Sequence, residues 1–175
     1  NESTSEPSYP ASYEGIVSVS AASHGSGGGP ADVVLAQYSN FGSSVDVSAP
    51  GGQSFADANG DGIGDGVLST VGLSLDASGY AQFNGTSMAA PHVAGVAALM
   101  ESVHPNLTPD EFDEALSNRT IVLDVGPTGR DDSFGTGLID AFNAVRIAEQ
   151  LAGISPTPQP DEPLPQPAEP IANAV

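Results

Sequence analysis

The segment Asn84-Gly85-Thr86-Ser87-Met88-Ala89-Ala90-Pro91-His92 sets a serine at the mouth of a run of small and apolar residues, Val93 to Leu99. Gly85 carries no side chain just before that serine, so another backbone can approach closely. Thr86 reads as an N-cap, which places Ser87 in the first turn of a helix. There, free backbone N–H groups and the positive end of the helix dipole favour a developing oxyanion. The chemistry that suits such a hydroxyl is acyl transfer by a serine nucleophile. The following residues are apolar around the whole circumference, which predicts a helix from about Ser87 to Val103 buried on every side. Pro91 lies at the limit for proline in a first turn and predicts a local kink or irregular opening. An ordinary serine at the start of a buried helix is the plainer reading of Gly-Thr-Ser alone.

A serine hydroxyl needs a base to take its proton, usually a histidine oriented by a carboxylate. The chain has three histidines. His92 lies five positions after Ser87, and at about 100° per residue its ring points away from the hydroxyl, as a packed structural residue. His104 falls where the helix ends before Pro105. His24 sits in the glycine-rich stretch His24-Gly25-Ser26-Gly27-Gly28-Gly29-Pro30. None of the three reads as the base.

The string from Asn84 to Leu99 resembles the active-site serine segment of the subtilisin-like serine proteases. That resemblance implies a catalytic Asp and His ahead of the serine in their own motifs, which do not occur here. It also implies a longer catalytic domain. The expectation is therefore the C-terminal part of a peptidase domain over residues 1–153, an α/β layered fold with a mostly parallel sheet whose N-terminal half is missing. In the same family an asparagine completing the oxyanion hole precedes a Tyr-Pro-Ala-like motif. Here Asn1-Glu2 precedes Ser8-Tyr9-Pro10-Ala11-Ser12-Tyr13, so Asn1 matches that asparagine. Ser8, Tyr9, Pro10 and Ala11, with Asn84 and Gly85, match the substrate-binding walls, Ser8 near the base of the primary specificity pocket. Read without the family, Ser8 to Ser12 is a proline-containing turn leading into a strand.

A second cluster has metal-binding character. Asp57-Ala58-Asn59-Gly60-Asp61-Gly62-Ile63-Gly64-Asp65 carries oxygen donors at alternate positions, then glycine, then another carboxylate. This matches the first half of an EF-hand loop, in which positions one, three and five donate side chains. Position twelve is Leu68 where an EF-hand has its bidentate Glu, so Asp65 at position nine must close the site. Asp57, Asn59, Asp61, Ile63 through its carbonyl, and Asp65 are the expected calcium ligands, in a structural role. The alternative is a solvated Asn/Asp/Gly turn between strands.

With 22 acidic residues against three arginines and no lysine, the formal charge is −19. Such a surface repels nucleic acid and anionic membranes, which removes both as partners. The absence of cysteine excludes disulfides and thiol chemistry. No apolar run reaches the roughly 18 residues a membrane span needs, and no signal peptide is seen. A secreted location follows from the resemblance alone.

The elements that must position these groups are short. Strands are predicted at Gly15–Ser20, Val33–Tyr38, Val45–Ala49, Val67–Val71, Tyr80–Phe83 and Ile121–Leu123, from their Val and Ile content. A second helix is signalled by Thr108 as N-cap, Pro109 at the first position, Glu111 completing a capping box, and Leu107 stapling onto Phe112. It runs to about Asn118. A third, from Asp140 to about Leu151, presents Phe142, Val145 and Ala144 or Ala148 on one face. Residues 154–175 carry proline at nearly every second or third position and read as an extended linker.

The function expected is a serine endopeptidase acting on polypeptides through an acyl-enzyme on Ser87, with the missing half of the domain supplying Asp and His. By itself the chain is expected to be inactive. Two rivals remain: a catalytically silent module acting as a calcium-dependent binding or structural domain, and a proteolytic product that pairs with its N-terminal half.

Overall fold

A computed structural model describes residues 1–26, 32–58 and 60–155. Ten elements follow in chain order. They are β1 (Val19–His24), β2 (Val33–Leu35), β3 (Val47–Pro50), β4 (Val67–Thr70), β5 (Tyr80–Phe83), α1 (Thr86–Val103), α2 (Pro109–Ser117), β6 (Val122–Leu123), β7 (Leu138–Ile139) and α3 (Ala141–Leu151). Five strands form one sheet in the order β2-β1-β3-β7-β6, and β4 and β5 pair separately. The sheet is parallel at its centre, β1 with β3 and β3 with β7, and antiparallel at both edges. This is the α/β architecture expected, with the parallel pairs buried under helices.

Alternation along the strands sorts the core into two faces. Ala21 of β1 and Val47 and Ala49 of β3 pack with Ala89, Val93, Val96 and Met100 of α1, Phe112 and Leu116 of α2, and Ala144 and Ala148 of α3. Ala22, one residue on, turns to the other face with Val125 and Phe134, beside Val33, Leu35 and Leu138. Small residues on β1 and β3 let α1 lie close against the sheet.

The start of α2 follows its signal. Thr108 accepts from Glu111 N–H while the Glu111 carboxylate accepts from Thr108 N–H, a complete capping box with Pro109 at the first position. Asp140 caps α3 by accepting from the N–H groups of Phe142 and Asn143. Leu107 and Phe112 join the same cluster, and Ala144 and Ala148 form the buried stripe of α3.

Three expectations are corrected. β1 lies at Val19–His24, not Gly15–Ser20. Residues 8–16 instead make a chain of turns, with Ser12 N–H donating to Ser8, Tyr13 N–H to Pro10 and Ile16 N–H to Tyr13. β7 was not expected at all, and its two residues pair with β3 and β6. Third, α1 buries only the stripe Ala89, Val93, Val96 and Met100. Ala90, Ala94, Gly95, Ala98 and Leu99 are exposed, because α1 packs on β1, β3 and α3 and nothing among the described residues covers its opposite face.

Candidate active site

Ser87 is the second residue of α1 and is exposed. The N-cap is Gly85, not Thr86, and it makes no side-chain cap bond. Its φ of 153° and ψ of 159° suit glycine, which explains the residue better than space does, since the nearest atom to an added Cβ is 3.5 Å away. The capping oxygen comes from across the fold. Asn1 Oδ1 accepts from Thr86 N–H at 2.8 Å and from Thr86 Oγ1–H at 3.0 Å. Engagement of Oδ1 leaves the Nδ2 hydrogens of Asn1 as donors beside Ser87, the kind of group an oxyanion requires.

The turn before Ser87 is held from three sides. Gly85 N–H donates to Gly51 O at 3.0 Å. Tyr38 O–H lies 2.8 Å from Gly51 O and 2.6 Å from Gly52 O. A Cβ on Gly51 would meet Ala21 Cβ at 2.4 Å, Tyr38 Oη at 2.9 Å and Gly85 O at 3.0 Å, so only glycine admits this junction. Ser54 Oγ–H donates to Asn84 Oδ1. Asn84 is thus a half-buried brace. Pro91 sits inside α1 without ending it, and having no N–H it leaves the Ser87 carbonyl without its usual helical donor.

Two cavities flank the turn that carries the serine, one reaching Thr86 and the other Ser87 itself. On one side Asn1, Glu6, Ser8, Ala11, Ser12, Asn40 and Thr86 contribute to a cavity of about 110 Å³. Ser8 N–H donates to Ser12 Oγ, and Asn40 Nδ2 donates to Ser8 Oγ. Tyr9 and Pro10 are exposed outside that wall, joined by a cis peptide bond, with Tyr9 packed on Tyr13 at a ring separation of 4.8 Å. On the other side Val67, Leu68, Ser69 and Phe83 of the β4–β5 hairpin face Ser87, Met88, Pro91 and His92 across a cleft of about 320 Å³.

His92 borders that cleft and is exposed, with Nδ1 at 2.7 Å from Met88 O, so it is not the packed residue expected. One ring nitrogen is therefore committed to the backbone. His104 caps the far end of α1. His24 ends β1 and is exposed. The residues that sequence reasoning missed are Tyr38 and Gly51, which steady the serine turn from 34 or more positions away. No local pattern announces a contact of that span.

The acidic loop closes on itself. Asp57 Oδ1 accepts from Gly60 and Asp61 N–H, Asp57 Oδ2 from Gly62 N–H, Asp61 Oδ1 from Ile63 N–H, and Asp65 Oδ2 from Ala58 N–H. A backbone bridge between Gln53 and Asp65 shuts its base. Asn59 lies outside the described residues. Among the described residues no three acidic or histidine side chains converge as a metal cage. Asp57 Oδ1 accepts two of these bonds, whereas Asp57 Oδ2 and Asp65 Oδ2 accept one each, so a cation would meet those two oxygens with the least disturbance of the loop.

Among the described residues no helix is long and apolar enough to cross a membrane. The chain is 41% identical over 117 residues to an extracellular protease of Xanthomonas campestris pv. campestris, a match covering 65% of this chain and 17% of that protein. It is 37% identical to halolysin of Haloferax mediterranei over 83% of this chain and 22% of that protein. The chain thus spans about a fifth of the length of these relatives. Of solved structures, it resembles fervidolysin of Fervidobacterium pennivorans with a TM-score of 0.61 at 29% identity, over 78% of this chain and 20% of that one. A protease of Pseudoalteromonas arctica gives 0.56 at 41%, over 80% and 38%. Residues 1–137 match the model of the subtilase family, and the chain belongs to that family.

Proposed function

We propose that this chain carries the nucleophile and oxyanion site of a secreted serine endopeptidase. The observation that carries the reading is Asn1 bonded to Thr86 at the first turn of α1, which sets an amide beside the exposed Ser87. In the proposed reaction Ser87 Oγ bonds to the peptide carbonyl carbon as its proton passes to a base. The oxygen of the tetrahedral intermediate is held by Ser87 N–H and Asn1 Nδ2. The C–N bond then breaks, the base returns the proton to the leaving amine, and water releases the acyl group by the same route. In this reading the base is a histidine, with its aspartate, from residues outside this chain, supported by the bond of His92 Nδ1 to Met88 O and by the absence of His24 and His104 from both cavities. This chain alone is therefore expected to be inactive. The names of extracellular relatives support secretion and a polypeptide substrate.

The test is labelling of the full-length gene product with a fluorophosphonate. One adduct per molecule, lost in Ser87→Ala, is the expected result. No adduct on a folded protein would favour the catalytically silent binding module.

Calcium belongs to the same reading as a structural ion. Asp57, Asn59, Asp61, Asp65 and the Ile63 carbonyl would hold it, and the curl of residues 60–62 around Asp57 supports the assignment. Bound there, it would stiffen the loop that leads into β4, one wall of the cleft. Calorimetric titration should show one calcium per chain, lost in Asp57→Asn. Equal melting in calcium and in chelator would end this part of the proposal.

A further inference from the structure

We propose that the cavity beside Asn1 selects a basic residue on the acyl side of the cleaved bond, and that Glu6 makes the selection. This rests on the peptidase reading above and names its substrate class. The two sides of Ser87 differ in chemistry. The hairpin side is mainly apolar, with Val67, Leu68 and Phe83 beside Ser69 and His92, whereas the Asn1 side sets Glu6, Ser8 and Asn40 against Ala11, Phe41 and Val45. Glu6 is the only ionisable side chain in that second wall.

Each arginine of the chain is engaged elsewhere. Arg119 pairs with Asp124, Arg130 donates to the Ser43 and Val45 carbonyls, and Arg146 lies over the Phe142 ring. The Glu6 backbone N–H donates to Thr4 Oγ1, and its carboxylate has no cation from the described residues beside it. Lysine and arginine are built for such a site, laying their methylenes against Ala11, Val19 and Val45 while the charged head stays at the polar rim by Glu6. The overall charge of −19 attracts any cationic substrate, but it does so at every surface and cannot rank one subsite against another.

The test compares two chromogenic peptides, identical except for Arg or Phe before the cleaved bond, on the full-length gene product. The wild type is expected to prefer Arg in kcat/KM. Glu6→Gln should lower the Arg:Phe ratio about fivefold at low salt, the effect of an exposed ion pair. Glu6→Asp should recover part of the ratio, and 1 M salt should shrink the difference. Hydrolysis with Phe preferred, or a ratio unmoved by Glu6→Gln, overturns the selection while leaving the peptidase reading intact. Failure to cut either peptide together with an unlabelled Ser87 overturns both.

Discussion

The two walls of the cleft at Ser87 are built on opposite plans. The α1 wall rests on a stripe of side chains sealed against β1, β3 and α3, with Met100 at 0% exposure. The β4–β5 wall is a two-stranded ribbon detached from the main sheet, with Leu68 at 63% and Leu73 at 74% exposure and Tyr80 exposed too. A lone two-stranded ribbon has little stability of its own in water. The nucleophile thus stands on the rigid wall while the wall it faces is free to shift. For acyl transfer that division is useful, because the attacking oxygen must be held and the leaving segment must escape.

The largest expected effect tests this contrast directly. Met100→Ala removes a fully buried side chain and should cost about 2–4 kcal/mol. Leu73→Ala, at the ribbon's tip, should stay within about 0.5 kcal/mol. Thermal melts of the two variants check it. Comparable losses would mean that the ribbon is packed as tightly as the helix.

The same contrast explains what was legible in the sequence. Helices α2 and α3 announced themselves because Thr108, Pro109, Glu111 and Asp140 act on neighbours within four residues, and the serine turn did so through its unusual string. β1 was misplaced because Val19 to His24 is largely Ser and Ala, which fit between sheet and helix but lack the branched side chains by which strands are read. β7 was missed because two residues carry no period. The burial of α1 was overestimated because an all-apolar circumference states what a helix can bury, not which partners reach it. Asn1 was readable as a family match, but its bond to Thr86 was not, since it joins positions 85 residues apart.

A smaller effect is expected at the junction between the rigid wall and the serine turn. Tyr38 is half-buried, and burial raises its phenol above the usual value of 10.0, with the Gly85 backbone pulling the other way. Folding therefore favours the neutral phenol. Its contribution is complete below pH 10, the unfolded value, and is lost as pH rises through the higher folded value. Tyr38→Phe should cost about 1 kcal/mol at neutral pH by removing the donor to Gly51 O and Gly52 O. It should also remove the alkaline fall in stability that this phenol causes. Denaturant melts of both proteins at pH 8 and pH 11 check it. An unchanged alkaline limb would mean that the phenol does not brace the turn.

The smallest effect lies far from the cleft, at the start of α2, where the sequence was most explicit. Thr108→Ala should cost about 1 kcal/mol, the usual loss for a cap hydroxyl. The Glu111 carboxyl is held below its ordinary range, first by the Thr108 backbone N–H and then by the Thr108 hydroxyl. A lowered carboxyl gives stability that is present above its unfolded value near 4.5 and lost as pH falls through the folded one. Because the hydroxyl supplies only the second of those bonds, the variant should keep part of this acid dependence, whereas Glu111→Gln should abolish it. Melting between pH 5 and pH 3 separates the two. Were both variants to flatten the acid limb equally, the hydroxyl and not the backbone bond would hold the carboxylate down. The capping box would then depend on Thr108's side chain for both of its halves.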